Sequence, residues 1–168
     1  MCIKRILFLA ILMLSPLVAQ GAIADTLDHA NMVKRANDIV TKIVAIAYER
    51  ANTNENRGSG RDEVRAELSY VFSLENDPHT LVRVAMVARV YSSGLAGDQA
   101  IDDVFWLAWD LCMVRVKEIG GDDALDALEY LQTRGKPEGG DSVVVKELIR
   151  ELTSNNPREP LKAEKLPE

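Results

Sequence analysis

Histidine is the side chain best suited to bind metals and to transfer protons near neutral pH, and the chain has only two. His29 lies near the start of the first predicted helix, and His79 lies in the first turn of the third. Neither has a partner at the spacing of a metal site, so both are interpreted as solvated or helix-capping residues. We therefore expect no bound metal ion and no cofactor.

Carboxylates are far more numerous, with 26 Asp and Glu residues in 168. A diiron site in a helical bundle needs Glu-x-x-His on two helices, and the sequence contains no such motif. A two-acid hydrolase needs only a pair of carboxylates in a cleft. Asp102, Asp103 and Asp110 are candidates for this role because they interrupt an otherwise apolar helix, although a solvated stripe is the favoured interpretation.

Motifs for nucleophilic catalysis and phosphate binding are missing from the sequence. There is no Gly-x-Ser-x-Gly, and the glycines at 58–60 and 139–140 lack a following lysine and a preceding strand. Cys112 lies in an apolar helix and is predicted to be a buried, inert thiol. The sequence therefore favours a function other than catalysis.

Trp106 shares the polar face of the fourth predicted helix with two acids. At 100° per residue, Asp103 and Asp110 lie close together and Trp106 projects within about 60° of both. Such an indole is either covered by a neighbouring segment or anchors a partner, because tryptophan is enriched at interface hot spots. We name Trp106, Asp102, Asp103 and Asp110 as candidate partner-binding residues, and predict that Trp109 lies in the core.

The first 24 residues resemble a secretory signal peptide. Lys4 and Arg5 precede an apolar block at 6–14, and the small residues Ala22 and Ala24 predict cleavage before Asp25. The block is short against the ~20 residues of a spanning helix, so a retained membrane anchor is the less favoured alternative. The protein is expected to be exported, to the periplasm or out of the cell.

The chain is acidic, with a net charge of −6. Residues 1–24 hold two basic and no acidic residues, so their removal would bring the net charge to −8. This charge argues against binding to nucleic acids or anionic lipids, which need clustered Lys and Arg. It favours a partner with a basic surface, although solubility alone explains the same charge.

Apolar periodicity predicts six helices and no strand, and hence an all-α fold. The predicted helices span Thr26–Asn52, Asp62–Leu74, Pro78–Gly94, Gln99–Ile119, Asp122–Gly135 and a stretch from Asp141 to about Asn155. Asp77, Asp98, Asp122 and Asp141 are the predicted N-caps. A compact irregular bundle is expected, and stacked helical hairpins are the alternative because Asp77 and Asp122 lie 45 residues apart.

The apolar stripes of these helices predict which residues face the core. The first helix presents Val33, Ala36, Val40, Ile43 and Ala47; the second Val64, Leu68, Val71 and Phe72; the fifth Leu125, Leu128 and Leu131; and the sixth Val144, Leu148 and Leu152. Arg83 and Arg89 interrupt the apolar third helix, and Asp110 or Glu75 could pair with one of them. The predicted domain covers 25–155, with its longest loop at 52–60 and an extended tail at 156–168.

The function predicted from these features is protein binding, as an inhibitor, an immunity-type antagonist or an envelope adaptor. A carrier of an apolar small molecule is the alternative, with a cavity lined by Met86, Phe105, Trp109 and Met113. The two-acid hydrolase is the third hypothesis. Association of the chain with itself is compatible with each of them.

Overall fold

The computed structural model describes residues 26–52, 61–95 and 98–155. Within these ranges the chain forms helices and no strand, which confirms the all-α prediction. The helices are α1 (Thr26–Asn52), α2 (Arg61–Ser73), α3 (Pro78–Val90), α4 (Gln99–Ile119), α5 (Gly121–Tyr130) and α6 (Gly139–Asn155). The predicted signal peptide, most of the predicted 52–60 loop and the predicted tail lie outside the described residues.

Two of the helices end in a wider turn. A π-helical turn at Tyr91–Leu95 follows α3, and another at Leu131–Gly135 follows α5. Gly94 and Gly135, the predicted helix ends, fall within these turns. The predicted bounds of α1, from Thr26 to Asn52, and of α4, from about Gln99 to Ile119, agree with the structure.

Two of the four predicted N-caps are confirmed. The carboxylates of Asp77 and Asp98 accept hydrogen bonds from the backbone N–H groups two residues later, at 3.0 and 2.8 Å. The prediction for Asp122 and Asp141 is wrong, since both lie inside the first turn of their helices. Both α5 and α6 begin earlier, at glycines with positive φ that aspartate adopts less readily.

The core lies around α3 and α4, which contact each other more extensively than any other pair. The predicted apolar third helix is buried over most of its surface. α1 packs on both central helices, so distant parts of the chain share one core. Stacked hairpins would contact only their sequence neighbours, and the arrangement is therefore a bundle.

The ends of the helices show their relative directions. Arg115, near the end of α4, donates to Asn76 just before α3, whereas Arg89, near the end of α3, lies over Trp106 in the first half of α4. Consecutive helices α3 and α4 are therefore antiparallel. Lys117 of α4 pairs with Glu151 late in α6, so α6 runs in the direction of α4.

The buried face of α6 differs by one residue from the prediction. Val144 is 44% exposed, whereas Val145 is fully buried and Leu152 is nearly so. The predicted set advanced by four residues twice, which overshoots a helix of 3.6 residues per turn. Steps of three and four, from Val145 through the half-buried Leu148 to Leu152, keep the face aligned with the core.

Gly135 is expected to tolerate no side chain without loss of stability. A Cβ there would lie 2.7 Å from Cδ1 of Leu131, which is buried, and 3.4 Å from Cγ of Met86. We expect Gly135→Ala to lower the free energy of unfolding by about 1–3 kcal/mol, measured by urea denaturation. Gly140→Ala is the control, since nothing lies within 4 Å of a Cβ there. Equal stability of the two variants would show that Leu131 repacks freely.

Candidate functional site

Trp106 is one of the few large apolar residues that the described surface exposes. Its exposed fraction is 39%, against 2% for Trp109, three residues along α4. The prediction that Trp109 lies in the core is confirmed. Trp106 lies about 60° from Trp109 on the helical wheel, on the side of α4 that also carries the exposed Asp103 and Asp110.

Trp106 packs against Arg89 of α3, which in turn pairs with a side chain of α6. The guanidinium of Arg89, on α3, lies over the indole with its carbon 4.5 Å from the ring centroid. Arg89 also forms an ion pair through Nε with Asp141 of α6, and its Nη1 donates to Ser92 at 3.3 Å. We call Arg89, Trp106 and Asp141 the Trp106 cluster; it links three helices and places a guanidinium over an exposed indole.

The acid that forms an ion pair with Arg89 is neither of the two that the sequence suggested. Asp110 and Glu75 were the expected acids, but Glu75 pairs with Arg35 of α1, and Arg89 pairs with Asp141. The side chain of Asp141 is only 8% exposed, and a carboxylate so buried needs a countercharge. Arg89 supplies this charge. The buried acid of the cluster is therefore Asp141, which the sequence analysis predicted as a helix N-cap.

Asp110 lies one turn beyond Trp106 on α4, and is exposed. Burial raises the pKa of its carboxyl; Arg65 of α2 acts in the opposite direction, Asp141 of α6 raises it further, and Arg61 of α2 lowers it. The net pKa is raised. Charged residues of both α2 and α6 therefore lie close enough to Asp110 to affect its carboxyl.

Asp110→Asn is expected to leave the protein at least as stable at pH 7. A raised pKa means that the folded state holds this proton more tightly than the unfolded state. The contribution of Asp110 to stability is therefore lost as the pH rises from the unfolded pKa through the folded one. Asparagine removes this dependence, and urea denaturation between pH 4 and about pH 7 measures it. Lower stability of the variant at neutral pH would show that the attraction to Arg61 and Arg65 dominates.

Asp102 and Asp103 lie one turn before Trp106 and have different surroundings. Asp103 is exposed, whereas Asp102 is half-buried, and its Oδ1 has no hydrogen-bond partner among the described residues. Burial raises the pKa of Asp102, and the nearby charges of Asp98 and Asp103 raise it further. The start of α4 is therefore a locally acidic surface beside Trp106.

The four predicted binding residues thus lie on α4, and three share its exposed side. Asp103, Trp106 and Asp110 are exposed and follow one another at steps of three and four. Asp102 is turned partly toward the interior. The sequence missed Asp141 as a member of this site, and the only signal for the cluster was a charged Arg89 in an apolar helix.

No protein-family model, curated protein or solved structure matches the chain. The candidate site is therefore interpreted from its own geometry.

The described residues contain no group of three or more His, Cys, Asp or Glu side chains placed to hold a metal ion. Cys112 is fully buried, as expected, and burial raises the pKa of its thiol, which disfavours the reactive thiolate. Across the described ranges, no helix has the length and apolar character needed to span a membrane.

A second polar cluster joins α1 to the turn between α2 and α3. Arg35 contacts Glu75, Asp77 and the buried Thr80, and Thr80 donates to Asp77 at 2.7 Å. Burial alone would raise the pKa of Asp77, but hydrogen bonds from Thr80, the His79 N–H and Arg35 outweigh it and lower the pKa. These groups satisfy one another and stabilise the turn, so we interpret the cluster as structural.

The residues named for an apolar carrier site lie in or against the core. Phe105, Trp109 and Met113 are buried, and Met86 is half-buried. Phe105 stacks on Tyr91 with ring centroids 4.8 Å apart. The carrier and the two-acid hydrolase stay predictions.

Proposed function

We propose that this chain is a small exported helical protein that binds another protein through the surface around Trp106. The observation that carries the proposal is an exposed indole packed against a guanidinium that is itself paired with a buried carboxylate. An inhibitor, an immunity-type antagonist of an exported toxin and an envelope adaptor all fit such a surface. The periplasm or the cell exterior is the proposed location, on the basis of the signal-like residues 1–24.

The contact between Arg89 and Trp106 supports a binding role, because a packed guanidinium restricts the orientations of the exposed indole. Tryptophan contributes strongly to interfaces, and a side chain already fixed in its bound orientation loses less entropy when the partner binds. An indole with a merely structural role would be covered more completely, as Trp109 is. The ion pair of Arg89 with Asp141 therefore supports binding through the indole it holds.

The charge around Trp106 supports a partner with a basic surface. Asp98, Asp102 and Asp103 lie together at the start of α4, and Asp110 follows one turn beyond the indole. Complementary charges accelerate association and exclude wrong partners, and their effect weakens with salt. The net charge, −6 for the full chain and −8 without residues 1–24, adds a longer-range attraction.

The test uses the protein purified after export, first as bait in an envelope extract and then with the captured protein purified. We expect Trp106→Ala to weaken binding by a factor of about 10 or more, as for interface hot spots. Tyr70→Ala is the matched control, since Tyr70 is an aromatic residue of α2 that is 67% exposed. Its effect is expected to stay within about twofold, and higher salt should weaken binding of the parent protein.

Two results would overturn this proposal. Binding that is unaffected by Trp106→Ala would remove the proposed surface. A bait that retains no protein, or that carries a copurified apolar molecule, would instead favour the carrier hypothesis.

A further inference from the structure

One side of α4 is open along most of the helix. Asp103, Trp106, Asp110, Val114 and Lys117 are all exposed and follow one another at steps of three, four, four and three. We call this stripe the outer face of α4. The rest of α4 carries ten buried residues, as expected of a central helix. The outer face nevertheless exposes two large apolar side chains, Trp106 and Val114.

The outer face of α4 is flanked by α2 and α6, which both pack against this helix. On the α2 side, Arg115 donates through Nη2 to Asn76 Oδ1 at 2.6 Å, in the turn that follows α2. On the α6 side, Lys117 Nζ lies 2.9 Å from Glu151 Oε1. Asp110, in the middle, is influenced by charges from both helices.

Helix α6 contributes an apolar side chain to this flank. Val144 lies seven residues before Glu151, so both project from the same side of α6 after two turns. Glu151 reaches Lys117 on the outer face of α4, and Val144 is 44% exposed. Trp106, Val114 and Val144 are thus apolar residues on or beside one exposed stripe.

The geometry points to an amphipathic helix of the partner, about four turns long, lying along the outer face of α4. This inference rests on the proposed function and specifies the partner. The stripe from Asp103 to Lys117 spans 15 residues, and its ends are about 21 Å apart at a rise of 1.5 Å per residue. Trp106 and Val114 are about 12 Å apart, which suits apolar residues two turns apart on a bound helix.

The charges along the stripe indicate which end of the partner helix carries its basic residues. Asp98, Asp102 and Asp103 make the Trp106 end acidic, and Arg61 and Arg65 partly offset the charge of Asp110. Lys117 lies at the other end and already contacts Glu151. Basic residues of the partner helix therefore belong beside Asp103, and its apolar residues belong on Trp106 and Val114.

The first test uses a synthetic amphipathic peptide of about 16 residues, with leucines along one side and lysines at one end. Its control replaces the lysines with glutamates. In NMR titrations of the isotope-labelled, exported protein, the lysine peptide is expected to shift the Trp106 indole and the amides of α4 near Asp103 and Val114. It should bind about 10-fold more tightly than the glutamate peptide. Equal binding of both peptides, or shifts confined to other surfaces, would overturn the inference.

The second test separates this inference from the proposed function. With the captured partner, Val114→Asp is expected to weaken binding about 10-fold, and Tyr70→Asp to change it less than about twofold. If Trp106→Ala abolishes binding and Val114→Asp has no effect, the proposed function stands and the helix inference fails. If no partner depends on Trp106, both fail.

Other occupants of the outer face would also contradict the inference. Sedimentation that shows a dimer disrupted by Val114→Asp would assign the face to a second copy of the chain. Shifts of the Val114 amide on removal of residues 156–168, with no binding of the lysine peptide, would assign it to the C-terminal segment.

Discussion

Trp109→Ala is expected to lower the free energy of unfolding by about 3–5 kcal/mol, the range for a buried aromatic residue. Trp106→Ala is expected to lower it by only about 1–2 kcal/mol, because the indole is 39% exposed and its contact with Arg89 is worth about 1 kcal/mol. The two residues lie three positions apart on one helix and have opposite roles. Trp109 fills the core, and Trp106 presents a surface.

Urea denaturation followed by circular dichroism measures both losses, since each variant removes one of the two fluorescent indoles. Acrylamide quenching supplies an independent check: Trp109→Phe leaves an accessible indole, and Trp106→Phe leaves a shielded one. Similar stability losses together with similar quenching would place Trp106 in the core and contradict the proposed binding surface.

The sequence predicted the helices and their buried faces well because apolar periodicity reports burial directly. The stripe from Ala36 to Ala47 in α1 and the apolar α3 both lie in the core as expected. The failures came where the signal was weaker. Residues 143–145 are all valine, so the sequence does not show which of them faces the core in α6. Adjacent glycines allow α5 and α6 to begin before the aspartates that were expected to cap them.

The candidate site was predicted only in part, for a related reason. A helical wheel places Asp103, Trp106 and Asp110 on one side of α4, but it does not show which helices flank that side. Arg89 and Asp141 are 52 residues apart in the chain, and their pairing depends on how α3 and α6 pack. Local patterns therefore identified the exposed residues of the site and missed the buried acid beneath them.

Arg89→Ala is expected to lower the free energy of unfolding by about 2–3 kcal/mol. Removing one partner of a fully buried ion pair costs about 3–5 kcal/mol, because the remaining charge is left without water or countercharge. The Asp141 side chain is 8% exposed but that of Arg89 is 35% exposed, so water reduces the loss. Denaturation by urea gives the value.

Two controls show whether the loss in Arg89→Ala comes from the stranded charge of Asp141. Adding Asp141→Asn to Arg89→Ala should recover part of the stability, because the uncompensated carboxylate is then gone. Arg150→Ala breaks a pair with Glu147 in which both side chains are more than half exposed, and it should cost less than about 1 kcal/mol. Arg89→Ala should also weaken partner binding, since the guanidinium that packs against Trp106 is then absent. Equal stability of Arg89→Ala and Arg150→Ala would mean that Asp141 finds water in the variant, and that the ion pair does not hold the Trp106 cluster together.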